Sequence, residues 1–84
     1  MGHKEKLIHK LKSNPKDFSF DELETLLRYF SYSKSNKGKT SGSRVLFVSE
    51  NHRAILIHKP HPDNLLKAYQ VKQIVELLTK EGLI

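Results

Sequence analysis

Two apolar runs in the middle of the chain, Arg44-Val45-Leu46-Phe47-Val48 and Ala54-Ile55-Leu56-Ile57-His58, are separated by a polar stretch carrying Glu50-Asn51-His52-Arg53. Both runs are rich in β-branched and aromatic residues, and the polar stretch has room only for a tight turn. Residues 44–58 therefore read as an antiparallel hairpin. It cannot continue through Lys59-Pro60-His61-Pro62-Asp63-Asn64, because two prolines remove ladder donors. An antiparallel hairpin with one apolar face needs something laid against that face, and the rest of the chain supplies helices.

Ser19-Phe20-Asp21-Glu22 has the pattern of a capping box, in which Ser19 and Glu22 satisfy each other's backbone amides. Asp21, Glu22 and Glu24 sit at the positive end of the helix dipole, and Phe20, Leu23, Leu26, Leu27 and Phe30 form one apolar stripe. Before it, Leu7, Ile8 and Leu11 recur at helical spacing from Lys4 to Lys12, and Ser13-Asn14-Pro15 ends that helix. After the hairpin, Val71, Ile74, Val75, Leu77 and Leu78 mark a closing helix over residues 69–80, with Gly82 as its stop. Tyr32 opens a short strand that fades into a basic loop through Gly38 and Gly42. The expected fold is α+β: a small three-stranded antiparallel sheet with helices on one face and the other face open. The residues themselves show no internal repeat and no domain boundary.

With 84 residues and no cysteine, this domain is stabilised by neither disulfides nor cysteine-bound metal, and thiol nucleophiles are excluded. No run approaches the ~20 apolar residues of a membrane span. The N-terminus lacks the long apolar segment of a secretory signal, so the cytoplasm is the expected compartment. The formal charge is +6. It is concentrated in the middle, where Lys34, Lys37, Lys39, Arg44, Arg53 and Lys59 stand against Glu50 alone across residues 33–60. A contiguous basic segment suits a polyanion, nucleic acid before others.

Within that segment, Gly42 permits a close turn at the strand entry, Ser43 offers a hydroxyl, and Arg44 a guanidinium fork matched to phosphate. Lys37 and Lys39 lie just upstream and Lys59 just past the second strand, giving Lys37, Lys39, Ser43, Arg44 and Lys59 as phosphate or ribose contacts. Gly38-Lys39-Thr40 imitates the end of a phosphate-binding loop but lacks its preceding glycine and spacing. His58 and His61 are candidates for proton transfer, since imidazole titrates near neutrality. They are three residues apart, but Pro60 and the lack of an acid between them argue against zinc, so neither metal nor cofactor is expected.

The order of these features resembles the HicA toxins of bacterial type II toxin–antitoxin systems. The acidic helix leading through Leu26-Leu27 to Tyr32 comes first, then Gly42-Ser43-x-x-x-Phe47 and a second strand. A Pro/His turn and Leu66-Lys67-x-x-x-Val71 follow, running into a helix ending Glu81-Gly82-Leu83. The resemblance covers residues 19–84 and implies that these form the RNA-binding domain, with residues 1–18 as an N-terminal helical extension. It implies a fold like a double-stranded RNA-binding domain, an mRNA interferase activity that arrests translation, and a HicB antitoxin partner that covers the active site. One departure stands out: the family pattern is Gly-Ser-His with a catalytic histidine, and the third position here is Arg44. An arginine stays protonated and cannot serve as base. Either His58 or His61 then supplies proton transfer, or the domain binds nucleic acid without cleaving it. A third possibility, from another class, is a protein-interaction domain whose basic surface meets an acidic partner.

Overall fold

The computed structural model describes residues 2–35, 44–60 and 63–84. Its elements run α1 (His3–Lys12), α2 (Phe20–Tyr29), β1 (Ser33–Lys34), β2 (Arg44–Val48), β3 (Ile55–His58) and α3 (Ala68–Lys80). The sheet is an antiparallel meander of order β1-β2-β3. Val45 and Phe47 on β2 and Ile55 and Ile57 on β3 turn toward the helices, with Phe47, Ile55 and Ile57 buried. Arg44, Leu46, Leu56 and His58 alternate onto the opposite face, which no helix covers among the described residues, and Leu56 is 54% exposed there. The expected α+β architecture, helices on one side and an open sheet on the other, is the one observed.

The helices α2 and α3 form where the sequence places them because their ends are satisfied. Ser19 Oγ accepts from the Glu22 amide at 3.0 Å, and Glu22 Oε1 accepts from the Ser19 amide at 3.0 Å, closing the box at the start of α2. Glu22 also accepts from Lys10 Nζ at 2.9 Å, which ties α1 to α2. Burial pushes the Glu22 carboxyl up, but the Ser19 amide and the Lys10 ammonium outweigh it and hold it below its ordinary 4.5. At its far end α2 stops in a two-bond cap: Ser31 N–H donates to Arg28 and Tyr32 N–H to Leu27. Ser31 takes φ 69° to do so. The same cap closes α3, where Gly82 takes φ 74° and the Gly82 and Leu83 amides donate to Thr79 and Leu78. Glycine suits that left-handed position; serine does so only at a cost.

The core joins all three helices to the sheet. Leu7 and Leu11 of α1, the α2 stripe Phe20, Leu23, Leu26, Leu27 with Phe30 beyond it, and Val71, Ile74 and Leu78 of α3 are buried together with Phe47. Two further anchors, Phe18 and Leu66, lie outside the helical periodicity. Phe18 is fully buried, and the chain beside it bridges to Leu65, with Leu66 N–H donating to the Phe18 carbonyl. This pairing stitches the entry of α2 to the entry of α3.

Candidate nucleic-acid interface

The register of the hairpin decides what the open face presents. β2 and β3 pair Arg44 with His58, Val45 with Ile57, Leu46 with Leu56 and Phe47 with Ile55. Ser35 N–H donates to the Leu46 carbonyl across β1, so the Leu46 backbone groups point toward β1 and away from β3. Hydrogen bonds in an antiparallel ladder alternate, which makes Leu46/Leu56 and Arg44/His58 the non-hydrogen-bonded pairs of β2 and β3. Opposite residues in such pairs have their Cα atoms about 4.5 Å apart and their side chains in closest register. Arg44 and His58, far apart in sequence and both exposed, thus stand side by side at one end of the open face. Leu46 and Leu56 continue the face beyond them as an apolar surface.

His58 is held in place from behind. Gln70 is the one buried polar residue among the described residues. Its Nε2 donates to the His58 carbonyl at 3.0 Å, and its Oε1 accepts from the Lys67 amide at 2.9 Å. The amide therefore caps the start of α3 with one end and pins the end of β3 with the other. Lys59 follows immediately, with Nζ 5.8 Å from the centre of the Phe20 ring, a cation–π distance. Arg44, His58 and Lys59 are thus gathered at the same end of the hairpin. Lys37, Lys39, Ser43 and His61 lie outside the described residues.

His52 belongs elsewhere. It sits in the β2–β3 turn, at the end of the hairpin opposite His58, with Nδ1 3.3 Å from Glu81 Oε1 and its ring stacked on Tyr32 at 6.3 Å. Glu81 also accepts from the Arg53 amide at 3.1 Å, and the Tyr32 hydroxyl donates to the Arg53 carbonyl at 2.6 Å. Burial, with Glu81 adding to it, raises the Tyr32 hydroxyl above its ordinary 10.0 and keeps it a donor. This cluster locks the turn to the C-terminal end of α3. The sequence shows Glu81 only as the end of a helix and leaves Gln70 unmarked, because the contacts to the turn and to β3 join residues far apart in the chain.

A sheet of three antiparallel strands, helices on one side and an open face bearing Arg44 and His58 define an α+β domain of the kind found in double-stranded RNA-binding domains. The family model described as the HicA toxin of bacterial toxin–antitoxin systems matches residues 20–81. The chain belongs to the HicA toxin family. No curated protein and no solved structure matches it. Among the described residues, no helix is long and apolar enough to cross a membrane.

Proposed function

We propose that this protein is a toxin that binds mRNA on the open sheet face and cleaves it, arresting translation, and that a HicB-like antitoxin neutralises it by covering that face. The pairing of Arg44 with His58 carries the reading. Cleavage through the ribose 2′-hydroxyl needs a base for its proton, an acid for the leaving oxygen and positive charge on the phosphorane. Arg44 is permanently charged and provides the third; His58, opposite it, exchanges protons. His61 is the second candidate for that exchange. Lys37, Lys39 and Lys59 hold flanking phosphates and Ser43 hydrogen-bonds a phosphate or ribose. The setting is the cytoplasm, and residues 1–18 are an addition to a family domain spanning 19–84.

The test is incubation of the free protein with labelled RNA. Arg44→Ala is expected to lose binding and cleavage together, while His58→Ala keeps binding and loses cleavage. Cleavage at full rate after changing both His58 and His61 to Ala would refute the proton-transfer role. The arginine in place of the family histidine favours a second reading, a binding module without catalysis. It predicts salt-sensitive RNA binding with no product from the wild type.

A further inference from the structure

We propose that the groove between the α1–α2 connection and the first turn of α3 is a nucleotide subsite. A base of single-stranded RNA stacks on Tyr69, and the neighbouring phosphates meet Lys16 and Lys72. The proposal rests on the RNA-binding reading above and adds a second contact, on the helical side of the molecule.

The cavity there measures about 430 Å³, the size of a small-ligand site. Its lining includes Asn14, Lys16, Leu66, Tyr69, Val71 and Lys72. Leu66 and Val71 are buried and form an apolar floor. Tyr69 stands at 56% exposure, an aromatic ring left in solvent on a helix that buries Val71, Ile74 and Leu78. Asn14 brings an amide able to read a base edge, on backbone held at φ 55° by the end of α1. The two lysines supply cations and the lining contains no carboxylate. The acid next to Lys16, Asp17, is directed to Lys10 at 3.7 Å instead. An exposed aromatic face between cations is how proteins hold single-stranded nucleic acid, with stacking for the base and charge for the backbone. An acidic protein segment would meet the same cations but would leave the flat ring without a stacking partner.

Position supports the assignment. Tyr69 adjoins Gln70, whose amide holds the His58 carbonyl, so the groove and the Arg44–His58 pair flank the same β3–α3 connection. One wall, Asn14 to Lys16, precedes the family-matched residues 20–81, which gives the N-terminal addition a part in substrate binding.

The experiment titrates isotope-labelled protein with a 2′-O-methyl oligonucleotide of about eight nucleotides, within the usual site size of basic grooves and unable to be cleaved. Amide shifts are expected at Asn14, Lys16, Tyr69 and Lys72 as well as on the sheet. Tyr69→Ala should weaken binding roughly tenfold and Tyr69→Phe should restore it. Lys16→Gln and Lys72→Gln should each flatten the logarithmic salt dependence by about 0.7. Melting temperatures equal to wild type would show that these exposed changes leave the fold alone. Shifts confined to the sheet, with Tyr69→Ala binding like wild type, would overturn the subsite while leaving the sheet-face reading intact. Absence of RNA binding by the wild type would overturn both. Groove shifts with an acidic peptide but not with RNA would reassign the site to a protein partner and refute the proposal.

Discussion

Replacing Gln70 with methionine tests the link between the core and the candidate catalytic pair. Methionine nearly keeps the volume and removes both hydrogen bonds, at 2.9 Å to the Lys67 amide and 3.0 Å from Nε2 to the His58 carbonyl. Each such bond contributes about 1 kcal/mol net, and stranding a buried partner costs about 1–3 kcal/mol. Lys67 and His58 are exposed residues and both bonds are only part-buried, so the lower end applies: a loss of about 2 kcal/mol. For a domain of this size that lowers the melting temperature by roughly 8–16 °C. The end of β3 also loses its anchor, so RNA cleavage should fall more than RNA affinity, a kcat effect with KM nearly unchanged. Gln70→Glu adds a pH readout. Ionised, it keeps the acceptor for Lys67 but sets a carboxylate against the His58 carbonyl; protonated, it regains a donor. Its folded-state pKa is therefore raised above the unfolded value, and stability should return as the pH falls through it. A Gln70→Met protein that melts within about 2 °C of wild type, well short of the shift expected for two lost bonds, would refute the reasoning.

Three further outcomes follow from the same geometry. Ser31→Gly relieves a left-handed residue at φ 69° and should stabilise the protein by about 0.5–1 kcal/mol in urea denaturation; no gain would mean the Ser31 conformation is unstrained. Tyr32→Phe removes the 2.6 Å bond to the Arg53 carbonyl, and calorimetry should show a loss of about 1 kcal/mol, with a silent change arguing that water replaces the hydroxyl. Glu24 is held below its ordinary 4.5 first by Lys34, and Glu22 is lowered as well, so both stabilise above that value and lose their contribution as the pH falls through their lowered folded values. Melting followed from neutral pH down to about pH 3 should show this acid limb, shallower in Glu24→Gln; each part-exposed pair contributes no more than about 1 kcal/mol.

Much of this molecule is legible one segment at a time. The capping box at Ser19, the stripes of α2 and α3, the end of α1 before Pro15 and the Gly82 cap are local patterns, and each appears where its residues stand. The prolines beyond Lys59 mark where β3 must end, and β3 does end at His58. Phe18 was not legible, because its burial comes from pairing with the Leu65–Leu66 segment and not from any repeat around it. The grip of Gln70 on β3 and of Glu81 on the turn was hidden for the same reason, since His58 and His52 lie 12 and 29 residues away.

The candidate site divides along the same line. The sequence alone determined which chemistries are available: arginine and histidine near a basic, cysteine-free hairpin, and an alternation that must put one set of side chains on a core and the other on an open face. Two facts about that site came only from tertiary structure. One is that Arg44 faces His58 and not a neighbour one residue along, which depends on how the two strands slide against each other. A one-residue slip would have sent His58 into the core face. The other is that the His58 carbonyl is clamped by α3, a contact that exists only once the core has drawn the helix against the strand. Local propensity selects elements, but register and docking are settled by the burial they share.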